Sequence, residues 1–229
     1  MEHSLRFKMN DKLFLRNPED SVLGRNIVKQ GLLLINEIGF EEFTFRKLAE
    51  KIGTTEASIY RYFENKHRLL IYLLTWYWSY LEFKVIFQLN NIKDPRQKIC
   101  LLIRILAEEP AEKDSHEFLP EREVYRLAIW EGSKSYLTHN ITRHNEDKLF
   151  KPYKDLCARL SEVISDYNPS YSFSHSLASS VIELAHCQRF FMQNLPSLTD
   201  FKGHSANQQL LHFLENLVFS TLDQSAPKK

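Results

Sequence analysis

The segment 44–66 constrains the fold more than any other part of the chain, because it holds two short helical patterns separated by a tight turn at Gly53. The hydroxyl of Thr44 can cap a helix over Phe45–Lys51, since a helix start leaves backbone amides without partners. Thr55 can cap the second helix in the same way, and glycine tolerates the left-handed conformation in which many helices end. Two short helices joined by such a turn, after a longer helix, predict a helix-turn-helix.

The remainder of the chain also predicts helices. Only 6 Gly and 8 Pro occur in 229 residues, and no segment has the pattern of a strand hairpin. Asn17 and Pro18 form a favourable helix start, and Gly39 ends the apolar pattern that follows them. We therefore expect an all-α protein with about nine helices, over residues 17–39, 45–51, 55–63, 65–89, 95–109, 119–138, 143–166, 172–194 and 205–222.

Composition and charge narrow the class of protein. A hydrophobic content of 43% and a charged content of 26% are ordinary for a folded domain. The net charge of +1 neither requires nor excludes nucleic acid, because a reader of the major groove needs only a local basic face. The cysteines are few and far apart, and neither a signal peptide nor a membrane-length apolar stretch is evident. We expect a cytoplasmic protein that does not bind or span a membrane.

Motifs that would indicate an enzyme are not found in the sequence. It contains no phosphate-binding loop, dinucleotide glycine pattern, nucleophile elbow or zinc-protease helix. Its 9 His and 3 Cys do not form a compact set with the spacing of metal ligands. We therefore expect no catalytic residues, no cofactor and no metal site.

The segment 44–70 resembles the signature of the tetracycline-repressor (TetR) family of regulators. In that family a Thr opens the second helix, a Gly closes it, a small-residue turn follows, and a Lys begins the fourth helix. The matching residues in this chain are Thr44, Leu48, Ala49, Gly53, Thr54, Thr55, Ile59, Tyr60, Phe63 and Lys66. The resemblance covers about residues 23–74 and implies a three-helix DNA-binding module followed by a helical regulatory and dimerisation bundle.

The resemblance also implies which residues contact operator DNA. Residues on the outer side of the third helix are expected to contact the edges of bases. Hydroxyl groups and cations around this helix are expected to contact backbone phosphates, which such groups bind readily. The implied DNA-binding residues are Thr44, Glu56, Ala57, Ser58, Tyr60, Arg61, Tyr62 and Lys66. We add Arg25 and Thr55 as candidates, and the alternative is that Arg25 is an ordinary surface residue and that Tyr60 and Tyr62 are packing aromatics. Glu56 departs from the many relatives that carry a basic or amide residue there, and its carboxylate could instead stabilise the helix N-terminus.

The fourth predicted helix carries an aromatic group that has two interpretations. Core packing explains it most simply, and the wall of a ligand cavity is the alternative, since such cavities are mostly apolar with a few polar groups. The family places its cavity among helices four to seven. The candidate ligand-binding residues are Trp76, Tyr80, Phe83, Arg104, Arg126 and Trp130.

The last two predicted helices, over 172–194 and 205–222, are apolar on two sides, which is typical of helices in a core or an interface. The resemblance implies that they pair with their symmetry mates in a homodimer. We expect an N-terminal arm at 1–16, a helix-turn-helix DNA-binding domain at 17–68, and a ligand-binding and dimerisation domain at 69–229.

The expected function is that of a sequence-specific DNA-binding transcriptional regulator. It would act as a repressor that a small apolar or amphipathic ligand releases from its double-stranded DNA operator. The alternative is an all-α small-molecule binding protein in which DNA binding is secondary.

Overall fold

The computed structural model describes residues 7–111, 118–136 and 141–224, and all of the regular elements in these ranges are helices. The α-helices are α1 Val22–Ile38, α2 Phe45–Ile52, α3 Glu56–Tyr60, α4 Lys66–Leu89, α5 Pro95–Ala107, α6 Glu121–Glu131, α7 Ile141–Glu146, α8 Lys151–Tyr167, α9 Ser174–Asn194 and α10 Ala206–Gln224. The all-α prediction is confirmed. Within the described ranges no helix combines the length and the apolar character that crossing a membrane requires.

The chain divides into two compact units. The first contains the described residues up to Ser79 together with Glu109–Lys151, and so includes α1 to α3, most of α4, α6 and α7. The second contains Tyr80–Glu108 and the described residues from Pro152 onward, with α5 and α8 to α10. The first unit includes the distant segment around α6 because this helix packs against α1, and the functional boundary expected at residue 68 stays a prediction.

Helix α1 begins at Val22, and the expected start at Pro18 is wrong. Asn17 instead caps a separate 3-10 turn over Pro18–Asp20, while the side chain of Ser21 accepts a hydrogen bond of 3.0 Å from the amide of Gly24. The 3-10 turn lies directly against the helix start, since a Cβ atom on Gly24 would come within 2.3 Å of the carbonyl oxygen of Pro18. Only glycine fits at this position.

Two other helix boundaries also differ from the sequence prediction. The single helix expected over 143–166 is divided into α7 and α8 by a turn in which Lys148 has a φ of 57°, and this division brings the helices of the described chain to ten. The helix expected over 119–138 ends at Glu131 and is followed by a 3-10 turn over Gly132–Ser135. Residues 137 and 138 lie outside the described ranges.

The described part of the predicted arm, residues 7–16, packs against the first unit. Leu13 is completely buried, and the side-chain amide of Asn10 donates to the carbonyl of Asp147 at 2.8 Å. The ammonium of Lys12 lies 2.7 Å from the Asp147 carboxylate. Residues 1–6 of the arm lie outside the described ranges.

The second unit has a closely filled core between α5, α8, α9 and α10. A cavity of about 20 Å³ remains among its aliphatic side chains, which is space for about one water molecule. The buried guanidinium of Arg189 donates to the carbonyl of Ala107 and, at 2.6 Å, to the side chain of Asn207. Because Ala107 ends α5, this cation lies at the negative end of that helix dipole.

A pair of glycine substitutions tests the close approach at the start of α1. We expect Gly24→Ala to lower the free energy of unfolding by about 1–3 kcal/mol, because the added methyl group meets backbone atoms that cannot rotate away. Gly132→Ala, where the new Cβ meets nothing within 4 Å, should raise it by about 0.4–1 kcal/mol. Chemical denaturation measures both, and equal stability of the two variants would contradict the packing described here.

Candidate nucleic-acid interface

Helices α2 and α3 form a helix-turn-helix whose caps are those expected from the sequence. The hydroxyl of Thr44 accepts the amide of Lys47 at 3.2 Å, and the hydroxyl of Thr55 accepts the amide of Ser58 at 3.2 Å. Gly53 ends α2 in the left-handed conformation, with φ of 66° and ψ of 40°. Local hydrogen bonds of the threonines and the freedom of one glycine therefore define both ends of the turn.

Helix α3 is shorter than the sequence suggests and ends at Tyr60 instead of Phe63. The amides of Tyr62 and Phe63 both bond to the carbonyl of Ile59, so the chain makes a tight final turn there. The side chains of Ile59 and Phe63 are completely buried and fix the inner side of the helix. The opposite, outer side of this short helix therefore faces solvent.

The structure places most of the predicted DNA-binding residues on the surface of the first unit. Seven are exposed, namely Arg25, Thr44, Thr55, Glu56, Ala57, Tyr60 and Arg61. Ser58 is partly exposed, and its hydroxyl lies 2.9 Å from that of Thr55. Four of the exposed residues, Glu56, Ala57, Tyr60 and Arg61, follow one another along the outer side of α3 and its last turn. Their contacts with DNA remain predictions.

Tyr62 lies inside the unit, where a contact with a phosphate would require it to leave its packing. Only 3% of it is exposed, and its hydroxyl is 2.8 Å from the hydroxyl of Ser21, the residue that caps α1. The end of the helix-turn-helix is thereby attached to the beginning of α1. The burial of Tyr62 agrees with the alternative interpretation of this residue as a packing aromatic, and its contact with a phosphate remains a prediction.

Lys66 also has partners within the protein. Its ammonium donates to the carbonyls of Phe40, Glu41 and Phe43 at 3.0 to 3.1 Å and lies 4.7 Å from the centre of the Phe40 ring. These carbonyls belong to the connector between α1 and α2, which we define as residues 39–43. The cation therefore holds the segment that leads into the Thr44 cap, and its predicted phosphate contact remains a prediction.

Glu131, at the end of α6, holds the same connector from another side. Its carboxylate is buried and accepts the buried amide of Phe40 at 3.1 Å, across 91 residues of sequence. Lys134 lies 2.9 Å from the Glu131 carboxylate and 3.1 Å from that of Glu41. The hydrogen bond and the charge of Lys134 lower the pKa of Glu41. Sequence reasoning missed Glu131, because a glutamate at a helix end has the pattern of a surface charge.

A second contact between α6 and α1 lies two turns away along α6. The side-chain amide of Asn36 donates both to the backbone carbonyl and to the carboxylate of Glu123, at 2.8 Å each. Helix α6 is thus hydrogen-bonded to α1 and to the connector at two separate points. Asn36 and Phe40, which precede the helix-turn-helix, are therefore held by residues 87 and 91 positions further along the chain.

Comparison with known proteins agrees with this geometry. The sequence profile of the family described as bacterial regulatory proteins, tetR family, matches residues 27–73. Residues 27–73 are therefore similar to the N-terminal domain of TetR-family regulators. The class G tetracycline repressor protein of Vibrio anguillarum is 41% identical over 44 residues, which are 19% of this chain and 21% of that protein. The match therefore spans about a fifth of the relative's length.

Similarity of fold extends further than similarity of sequence. The structure of AibR in complex with isovaleryl coenzyme A and operator DNA superposes with a TM-score of 0.59 at 15% identity, over 85% of this chain and 98% of AibR. The fatty acid degradation regulator FadR of Bacillus halodurans gives a TM-score of 0.59 at 18% identity, over 84% of this chain and 92% of FadR. At these identities the comparison shows the fold alone, and the likeness of fold extends beyond residues 27–73, which the family profile matches.

The candidate ligand-binding residues are divided between the two units and differ in exposure. Trp76 and Tyr80 are buried in the manner of core residues, whereas Phe83 and Trp130 are 40% and 43% exposed. Arg126 is exposed, and Arg104 lies 3.6 Å from Glu108. None of these six residues lines the 20 Å³ cavity or the groove of about 750 Å³ between α5 and α10.

In the described ranges, no group of three or more His, Cys, Asp and Glu side chains could hold a metal ion.

The contacts of Lys66 give a testable prediction. Lys66→Ala should lower the free energy of unfolding by about 2 kcal/mol, because three carbonyls lose their shared cation. Lys51→Ala, which removes only a surface ion pair with Glu37, should change it by less than about 1 kcal/mol. If Lys66→Ala keeps its stability but binds DNA with a reduced salt dependence, the phosphate contact predicted from the sequence is the correct role.

Proposed function

We propose that this protein is a sequence-specific DNA-binding transcriptional regulator, a cytoplasmic repressor that a small-molecule ligand releases from its operator. The observation that carries the proposal is the outer side of α3. Small or polar residues are exposed there, while Ile59 and Phe63 attach the helix to the core. A helix that reads the major groove needs this division between a rigid apolar side and an accessible polar side.

The chemistry of the exposed residues suits the edges of base pairs. The guanidinium of Arg61 can bind guanine through two hydrogen bonds, and the methyl group of Ala57 can contact that of thymine. The carboxylate of Glu56 can accept from the amino group of cytosine, or it can stabilise the N-terminus of α3, where it occupies the first turn. The hydroxyl of Thr44, exposed at the start of α2, is suited to a phosphate.

The comparisons support both the DNA and the ligand in this proposal. AibR shares the fold and has been seen with operator DNA and with isovaleryl coenzyme A, and FadR regulates fatty acid degradation. A ligand with an apolar part would suit the aromatic residues of α4, if the candidate residues from Trp76 to Trp130 come to line a cavity. Release from DNA then requires that the ligand bind better to the conformation that does not bind DNA.

A homodimer is the assembly that the exposed apolar residues of the second unit support. Phe213 and Leu217 lie one turn apart on α10 and are 37% and 40% exposed, while Leu210, Leu214 and Leu222 fill the core on another side of the same helix. Phe173, Leu195 and Leu198, close to the ends of α9, are also more than 40% exposed. Large exposed apolar groups of this kind are typical of an interface with a second copy.

The test of DNA binding is selection from a randomised pool of duplexes. We expect the protein to enrich a pseudo-palindrome whose half-sites lie in successive major grooves, ~34–36 Å apart. Arg61→Ala should relax the preference at particular base pairs, with a loss of about 1–3 kcal/mol there.

Arg46→Ala is the matched control, because it removes an exposed cation that is already paired with Glu50 on α2. It should leave the preference for each base unchanged. If no sequence is enriched and binding never exceeds that of a random duplex, the proposed function is wrong. The alternative of an all-α ligand-binding protein would then gain support.

The homodimer is tested by placing a charge on the exposed side of α10. Leu217→Glu should give a folded monomer, because the side chain lies outside the core of its own unit while a carboxylate cannot be buried between two copies. Asn216→Glu, on the neighbouring side that faces the groove between α5 and α10, should remain a dimer. Sedimentation at micromolar concentration distinguishes the two states, and a wild-type monomer would contradict the assembly.

A further inference from the structure

Arg16 lies beside the end of the helix-turn-helix, although it precedes α1 in the sequence. The amide of Leu15 donates to the carbonyl of Tyr62 at 2.8 Å, which fixes the backbone at this point. The guanidinium carbon of Arg16 lies 5.5 Å from the centre of the Tyr62 ring, within the range of a cation–π contact. Burial of Leu13 and of Pro18 on either side holds the segment in place. Arg16 itself is exposed.

The cations around the helix-turn-helix differ in whether a carboxylate neutralises them. On α2, Arg46 lies 3.1 Å from Glu50, Lys47 lies 3.5 Å from Glu42, and Lys51 lies 2.7 Å from Glu37. By contrast, within the described ranges neither Arg16 nor Arg61 forms an ion pair. The attraction of a phosphate to the paired cations is partly cancelled by their carboxylates, whereas the two arginines keep their full charge.

The contact with Tyr62 leaves Arg16 ready for an anion. The N–H groups of a guanidinium lie in its plane, and because Arg16 is exposed, these donors remain accessible to an anion from solvent. Two parallel hydrogen bonds from such an edge match the spacing of phosphate oxygens. Because the aromatic ring restricts the side chain, less conformational entropy is lost when the phosphate binds.

We propose that Arg16 binds a backbone phosphate of the same duplex whose bases α3 reads. This inference rests on the proposed function and adds a second contact element, since Arg16 comes from the segment before α1 and Arg61 from the last turn of α3. A phosphate held by Arg16 would fix the distance between the DNA backbone and the end of α3. The contact therefore sets the register of α3 in the groove without reading any base.

The experiment uses the full chain and a duplex that the wild-type protein selects from a randomised pool, with a scrambled duplex beside it. Dissociation constants are measured over a range of salt concentrations for the wild type, Arg16→Ala, Arg16→Lys and Lys93→Ala. Lys93 is the matched control, because it is an exposed cation that belongs to the second unit and not to the unit that contains the helix-turn-helix. Chemical denaturation of each variant measures any change in stability.

Arg16→Ala should weaken binding to both duplexes by roughly tenfold at moderate salt and reduce the slope of log K against log salt by about 0.9, as expected for one lost phosphate contact. Arg16→Lys should keep most of the slope but recover only part of the affinity, since an ammonium retains the charge without the paired hydrogen bonds. Lys93→Ala should match the wild type.

Two results would contradict the phosphate contact of Arg16, and a third would contradict the proposed DNA-binding function. A wild-type slope in Arg16→Ala shows that no phosphate contact was lost. Reduced affinity with reduced stability and an unchanged slope assigns Arg16 a structural role through Tyr62. If the wild type and Lys93→Ala select no duplex at all, the proposed function itself fails, and the inference fails with it.

Discussion

The amide of Phe40 and the carboxylate of Glu131 meet in the interior of the first unit, 3.1 Å apart and 91 residues apart in sequence. A buried amide without a partner, or a buried carboxylate without a donor, would cost several times what a surface contact contributes. Lys66 holds the carbonyl oxygens of the same connector, so residues 39–43 are fixed at both their N–H and their C=O groups. The orientation of α2 follows from this, because the connector leads directly into its Thr44 cap. The position of α3 follows from α2 through the turn at Gly53.

This dependence explains why the first unit is larger than the N-terminal domain of the family. The family profile ends at residue 73, whereas the unit also includes residues 7–16 and the segment around α6 and α7. Asp147, at the turn after α7, joins these additions, since it lies 2.7 Å from Lys12 and 3.9 Å from Arg68. A change in the position of α6 would act on Asn36 and Phe40 at once. Helix α3 and the helices outside the helix-turn-helix are therefore connected through hydrogen bonds within this unit.

The sequence was sufficient where structure is determined locally. Thr44, Thr55 and Gly53 act on residues within one turn of themselves, and their predicted roles in capping and turning are confirmed. The outer side of α3 could be predicted for the same reason, because the apolar positions of a short helix define its inner side. The start of α1 could not, since Asn17 and Ser21 are both good caps and only the packing of Pro18 against Gly24 decides between them. Glu131 and Tyr62 could not either, because their partners are distant in sequence, and a polar pattern does not reveal which distant amide or hydroxyl a side chain will meet.

The second unit adds a constraint on how a ligand could act. One side of helix α10 packs in the core, and another carries the exposed Phe213 and Leu217. A third side faces the groove that Arg96, Glu215 and Asp223 line. On the core side, the cavity among Ile103, Leu160 and Val181 has a volume of about 20 Å³, whereas the pocket of a drug-sized ligand has a volume of several hundred. A ligand can enter this core only by selecting a conformation in which the helices have moved apart. Under the proposed function, such a ligand would release DNA only if this opening costs less free energy in the conformation that does not bind DNA, because a ligand shifts an equilibrium only by its difference in affinity for the two states.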